Sequence, residues 1–254
     1  MTELARALET ARAKRKLLVP YVMGGIPDAG AFPSVLDALT PFADAIEVGL
    51  PFSDPLMDGP VIAAAGERAI EEGTGPLDAL ELSSKNIGHR VAMTYYNPIH
   101  RLGESAFCSR AASCGFAGLI VPDLPLEESE SLRAACAEEG LAWIPLVAPT
   151  SPPDRVARIV ETATGFVYAV STLGVTGTRD SLSDRAAAVV EKVRAATDAP
   201  VLVGIGVSTP DQARTAAEVA DGVVIGSAVV RRVVDEGTEA AAAFLADVRN
   251  ALDG

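Results

Sequence analysis

Residues 47–59 read Glu-Val-Gly-Leu-Pro-Phe-Ser-Asp-Pro-Leu-Met-Asp-Gly, and they concentrate the acid–base chemistry of the chain. Residues 45–49 have the composition of a buried strand, with Glu47 near its exit. Pro51, Pro55 and Gly59 then hold a turn-rich loop that carries two more acids, Asp54 and Asp58. A carboxylate is costly to bury, so acids at the end of an apolar strand require a reason. Two acids in unlike surroundings have their pKa values pushed apart, which suits one to donate a proton and the other to accept one. The alternative is that Glu47 is a salt-bridged strand end and that Asp54 and Asp58 form turns. Spacing alone leaves both readings open.

A second group of residues suits an anion. Gly204-Ile205-Gly206-Val207-Ser208 and Gly226-Ser227 each follow an apolar run, and Gly174-Val175-Thr176-Gly177-Thr178-Arg179 follows the run before them. Glycine lets the backbone approach a ligand, and N–H groups at a helix start favour negative charge. A single glycine pair would mean no more than a tight turn, but three such loops in succession point to a phosphate site. The two later motifs contain no lysine or arginine, so the site would rely on backbone N–H groups, with Arg231 and Arg232 following.

The elements that position these groups alternate regularly. Apolar runs at 17–23, 45–49, 91–94, 118–121, 142–147, 166–170, 201–203 and 222–225 read as strands covered on both faces. Between them, helical patterns fall at 34–39, 61–72, 77–86, 104–113, 127–139, 155–162, 184–196 and 210–217, and 238–252 forms an alanine-rich closing helix. Thr150 to Asp154 and Thr209-Pro210 read as caps followed by proline at a helix start. Eight strand–helix repeats without a Gly/Ser-rich linker predict an α/β fold, a single (β/α)8 TIM barrel over residues 1–254. The charged, helix-like segment 1–16 is then an extra N-terminal helix covering one end. A doubly wound open sheet is less consistent, because Gly24-Gly25-Ile26-Pro27 after the first strand lacks the G-x-G-x-x-G spacing. In a barrel the strand ends and the loops that follow form the active-site face, which puts Glu47, Asp58 and the glycine loops together.

Composition narrows the chemistry. The formal charge of −13 disfavours nucleic acid. No run approaches the roughly 20 apolar residues of a membrane span, and the N-terminus lacks a signal-peptide pattern, so a cytoplasmic protein is expected. Cys108, Cys114 and Cys136 lack metal-ligand spacing and read as small buried residues. His89 and His100 are isolated, so no metal site is expected. Of the four lysines, Lys14, Lys85 and Lys192 fall on helix surfaces and Lys16 precedes the first strand, which disfavours a Schiff-base aldolase. Carboxylate acid–base chemistry on a phosphorylated substrate remains.

The 47–59 stretch resembles the signature of the tryptophan synthase alpha subunit family. Further matches are Tyr95-Tyr96-Asn97-Pro98, Val121-Pro122-Asp123-Leu124-Pro125 with Glu127-Glu128, Ala148-Pro149-Thr150-Ser151, Tyr168 with Val170-Ser171, Gly174 to Gly177, Gly204 to Ser208, and Gly226-Ser227-Ala228. The resemblance implies a lyase that splits indole-3-glycerol phosphate into indole and glyceraldehyde 3-phosphate in tryptophan biosynthesis. It implies that Glu47 shuttles the proton reaching indole C3 and that Asp58 accepts a hydrogen bond from the indole N–H. Tyr168 and Met93 would line the indole pocket. Gly177, Gly206, Gly226 and Ser227 would hold the phosphate, with Gly204 and Thr176 also at the substrate, and Asp54 would meet Thr176 as two loops close. The resemblance further implies an α2β2 complex with a beta subunit that carries pyridoxal phosphate, and no cofactor in this chain. Two positions depart from the family pattern: Ile26, where aspartate is usual, and Met57, where a small residue is usual. Both are expected near the partner-facing rim. The other readings are a free-standing lyase that releases indole and a catalytically silent barrel that serves as an allosteric partner.

Overall fold

The computed structural model describes residues 1–84, 88–170, 179–204 and 206–254, with the backbone alone over 179–185. Nine parallel strands form the sheet: β1 (Leu17–Met23), β2 (Ile46–Gly49), β3 (Arg90–Met93), β4 (Phe116–Ile120), β5 (Ala142–Trp143), β6 (Leu146–Val147), β7 (Val167–Val170), β8 (Val201–Gly204) and β9 (Gly222–Ile225). Their order is β5-β4-β3-β2-β1-β9-β8-β7-β6. The two ends of this order, β5 and β6, are halves of one stave, so the sheet closes into the expected eight-stave barrel.

The single strand expected over 142–147 is broken because Pro145 has no N–H to give to a ladder. Ile144 N–H still donates to Leu119 O at 3.1 Å, and Pro145 O accepts from Tyr168 N–H at 3.0 Å, so the stave stays joined to both neighbours. The other expected strands form with ends moved by at most two residues.

Side-chain alternation along each strand separates two apolar layers. Leu17 and Val19 of β1, with Ala45, Val91, Ile120, Ala142, Ile144, Phe166, Leu202 and Val224, fill the barrel interior together with Leu4 and Leu8. The outward set, including Val48, Leu119, Val167 and Val203, packs against helices through residues such as Phe32, Phe107, Leu132 and Leu245. The helix Glu3–Arg12 is the expected cover, and it plugs the barrel floor. Thr2 caps it, its hydroxyl accepting from Ala5 N–H at 3.2 Å and donating to Thr164 O at 2.7 Å. The closing helix Thr238–Asp253 is fixed at the same end by buried Arg249, which donates to Asp44 Oδ2 at 3.2 Å and Lys16 O at 2.6 Å.

Several helices differ from expectation. Tyr96–Leu102 and Ser227–Asp235 are helices that the pattern did not mark. The first has proline in its opening turn. The second is rich in valine, a weak helix former, but Val229, Val230 and Val233 are buried and tertiary packing overrides propensity. The expected 127–139 helix is a 3-10 turn, Leu126–Glu128, followed by Glu130–Glu138. The expected 77–86 helix is Pro76–Leu82, and that over 184–196 starts earlier, at Arg179. Thr209 caps Pro210–Val219 as expected, whereas Pro153–Val160 has Pro152 at its N-cap and no side-chain cap bond. All three cysteines are buried and free. Lys85 lies outside the described residues.

The plug carries measurable stability. Leu8 is fully buried in the interior layer. Leu8→Ala should lower unfolding free energy in a urea titration by about 2–5 kcal/mol. A loss below about 0.5 kcal/mol would mean that the helix merely rests on the floor.

Candidate active site

The interior layering reaches the barrel mouth with a change of chemistry. Continuing the inward positions past Val19, Ala45, Val91, Phe166, Leu202 and Val224 brings Tyr21, Glu47 and Gly49, Met93, Tyr168, Gly204 and Gly226 to the C-terminal end. Two of these glycines make room for tyrosines. A Cβ on Gly49 would overlap the Tyr21 hydroxyl, and a Cβ on Gly204 would overlap the Tyr168 ring. Gly204 therefore has a packing reason for being glycine, apart from any approach to a ligand.

Glu47 is 1 % exposed, and its Oε2 is buried without a hydrogen-bond partner. It is not a salt-bridged strand end. Burial first, and the like charge of Asp58 second, raise its pKa from 4.5 to about 8. Asp58 stands in the loop after β2, where its N–H closes a turn onto Pro55 O at 3.1 Å. Its pKa rises to about 6 through burial, opposed by a hydrogen bond from the Tyr95 side chain. Tyr95 also fixes the loop: its hydroxyl accepts from Met57 N–H at 2.9 Å, and its ring stacks on Phe52 with centroids 5.2 Å apart. Asp54 is exposed and accepts from the Ser53 hydroxyl at 2.6 Å.

Met93 is half-buried between the two apolar layers, and Tyr168 lies in the same mouth. The Tyr168 phenol is held well above its ordinary pKa, first by burial and then by Glu47 and Asp58, and Tyr21 responds in the same way. Glu47, Asp58, Tyr168 and Tyr21 thus share one electrostatic environment. Tyr21 is absent from the sequence-based set, and Tyr95 appears there only within the 95–98 motif, with no role. The available signal for Tyr21 was parity, since 17, 19 and 21 share a face. For Tyr95 it was position, two residues beyond β3.

On the opposite side of the mouth, Gly206 has φ +67°, a left-handed conformation that favours glycine, and open space where a Cβ would stand. Gly226 is the N-cap of Ser227–Asp235 and supplies no side-chain cap; its carbonyl accepts from Val229 N–H at 2.9 Å, and a helix start of this kind suits an anion. Ser208 is held by Gln212, whose Oε1 accepts from its N–H at 2.8 Å and its hydroxyl at 2.9 Å. Thr176 and Gly177 lie outside the described residues, and with them any contact to Asp54. A cavity of about 310 Å³ adjoins the mouth, lined by Met57, Trp143, Leu146 and Val170 among others, but it includes neither Glu47 nor Asp58. Both carboxyls therefore lie outside the lining of this cavity. No His/Cys/Asp/Glu cluster fit for a metal occurs among the described residues.

The two departures separate in space. Met57 is 53 % exposed beside Leu56 at 92 %, on the tip of the loop after β2. Ile26, three residues beyond the end of β1, is buried in the outer apolar layer.

Residues 8–251 match the family described as "Tryptophan synthase alpha chain". The tryptophan synthase alpha chain of Synechococcus elongatus is 43 % identical over 260 residues, covering 100 % of this chain and 98 % of the relative. That of Carboxydothermus hydrogenoformans is 43 % identical over 236 residues, covering 91 % and 88 %. Among solved structures, Mycobacterium tuberculosis tryptophan synthase superposes with a TM-score of 0.90 at 40 % identity, covering 100 % of this chain and 99 % of that one. Tryptophan synthase subunit alpha from Legionella pneumophila gives 0.90 at 30 % identity, with coverage of 100 % and 99 %.

Burial of Glu47 predicts a pH dependence of stability. Its folded pKa lies above 4.5, so the native state binds the extra proton between pH 4.5 and about 8. The stability tied to this group is complete below pH 4.5 and is lost as pH rises through about 8. Between pH 5 and pH 9 the wild type should lose about 4 kcal/mol more unfolding free energy than Glu47→Gln. Parallel urea curves with the same pH dependence for both proteins would contradict the burial of an ionisable group here.

Proposed function

The chain belongs to the tryptophan synthase alpha chain family, and we propose that it cleaves indole-3-glycerol phosphate to indole and glyceraldehyde 3-phosphate with Glu47 and Asp58 dividing the acid–base work. The observation that carries this division is the split between two neighbouring carboxyls, Glu47 at about 8 and Asp58 at about 6. Near neutral pH the first holds a proton and the second is mostly ionised.

Protonated Glu47 gives its proton to indole C3. The pyrrole ring then carries positive charge at nitrogen, and the Asp58 carboxylate accepts the hydrogen bond of that N–H and stabilises the charge. The bond from C3 to the glycerol chain breaks toward the electron-poor ring, while the hydroxyl on the departing carbon becomes a carbonyl. Its proton returns to the Glu47 carboxylate, which restores the resting acid. Tyr168 and Met93 wall the indole. Gly206, Gly226 and Ser227, with Gly177 and Thr176, would hold the phosphate, and Gly204 sets the wall beneath Tyr168.

Residues 1–254 act as one barrel domain in this reading, in a cytoplasmic enzyme. No helix among the described residues is long and apolar enough to cross a membrane. A beta subunit is the proposed partner in an α2β2 assembly, and pyridoxal phosphate belongs to that subunit. The exposed side chains of Leu56 and Met57 on the loop carrying Asp58 favour this pairing over a free-standing lyase, because a partner would cover them. Asp54 sits on the same loop, suited to closing over substrate. Retention of both acids argues against a catalytically silent barrel.

Indole release from indole-3-glycerol phosphate, with and without a beta subunit, tests the reading. Glu47→Gln should lower turnover by about a hundredfold or more while leaving substrate affinity nearly unchanged. Turnover preserved in that variant would remove Glu47 from the chemistry. Ser227→Asp should weaken glyceraldehyde 3-phosphate binding at least about tenfold by placing like charge at the helix start. Unchanged affinity would move the phosphate elsewhere.

A further inference from the structure

We propose that the Tyr21 hydroxyl is a positioning residue for this reaction, donating a hydrogen bond to the Glu47 carboxylate once Glu47 has released its proton. The proposal rests on the acid–base reading above and adds a group to it.

Tyr21 and Glu47 are direct register partners on adjacent strands. Partners in a parallel ladder project to the same face, and the alternation through Leu17 and Val19 makes that face the interior. Gly49 then decides where the phenol lies. A Cβ at Gly49 would overlap the Tyr21 hydroxyl, so the ring reaches across β2 into space that this glycine leaves open. The hydroxyl is buried there, and its partner is Met23 Sδ at 4.0 Å, a weak acceptor. On the adjacent strand β2, Glu47 Oε2 is buried without a hydrogen-bond partner. A strong donor with a poor acceptor therefore stands next to a strong acceptor with no donor, both out of water.

The surroundings offer ionised Glu47 little other help. Among the described residues, the titratable groups acting on Tyr21 or Glu47 are Asp58 from the loop after β2, Tyr95 from beyond β3 and Tyr168 from β7, together with Tyr21 and Glu47 themselves. None is a cation. A carboxylate formed in this setting is stabilised by a neutral donor or by none. Rotation about the phenol C–O bond redirects the Tyr21 proton without moving the ring, and the Glu47 side-chain torsions bring an oxygen to it. The phenol keeps its proton throughout, and the contact is released when Glu47 takes up the hydroxyl proton of the glycerol chain.

Tyr21→Phe removes the hydroxyl and keeps the ring. Two quantities are read: the Glu47 pKa by carbon-13 NMR, with the signal assigned by its loss in Glu47→Gln, and the steady-state constants. The Glu47 pKa should rise in Tyr21→Phe, and kcat should fall about tenfold, with KM within about twofold of wild type. An unchanged Glu47 pKa would overturn the proposal whatever happens to kcat, because Tyr21 would then be only a wall. The titration needs no turnover, so an inert wild type would count against the proposed reaction and leave the Tyr21 contact measurable. If Tyr21→Phe does not fold, Gly49→Ala displaces the hydroxyl instead, and the same upward shift of Glu47 is expected.

Discussion

A carboxyl buried in the mouth of an otherwise apolar barrel is the constraint on which the rest of this structure depends. Glu47 sits on the interior face of a strand whose neighbours are filled with Val, Leu and Phe, and water does not reach it. Burial keeps the proton on the acid near neutral pH, which a solvent-exposed glutamate would not do. It also makes the carboxylate left after proton transfer a stronger base than one in water, which favours its reprotonation. The barrel can hold such a group because its stability comes from elsewhere: a closed ring of parallel ladders, a plugged floor, and an outer apolar layer against the helices.

The mouth is made concave by missing side chains as much as by those present. Gly49 and Gly204 let Tyr21 and Tyr168 lie flat against neighbouring strands. Asp58, by contrast, is delivered by a loop, and Tyr95 braces that loop by accepting from Met57 N–H. The strand acid is therefore rigid and dry while the loop acid is more accessible, and this difference in support produces the difference in pKa. The proposed anion site would use a third device, the start of Ser227–Asp235, which has no side-chain cap, and the left-handed Gly206. In the proposed reaction each part of the substrate would meet a different kind of backbone support.

Much of this arrangement was legible before any coordinates. Strands buried on both faces are apolar throughout, so runs such as 17–23 and 222–225 were found with their observed ends. Acids at an apolar strand exit stand out for the same physical reason, which marks Glu47, Asp54 and Asp58 together and leaves their roles to the family resemblance. Other features depend on packing that one-dimensional patterns do not carry. The valine-rich Ser227–Asp235 is helical because its valines find a core, and Arg232 lies 3.8 Å over the Phe244 ring on the closing helix. Tyr21 looked like one more apolar strand residue until the inward face of β1 and the gap at Gly49 were both known. Ile26 stood out only as a departure from the family pattern, and its burial in the outer layer was not readable from that.

The proposed division of labour between Glu47 and Asp58 depends on the protonation state of Glu47. Infrared titration of the wild-type protein, with the Glu47 band identified by its absence in Glu47→Gln, reports that state directly. The protonated carboxyl band should persist through neutral pH and disappear with a midpoint near 8. Its disappearance near 4.5, the ordinary glutamate value, would mean that Glu47 is ionised in the resting protein, and the division of labour with Asp58 would be wrong.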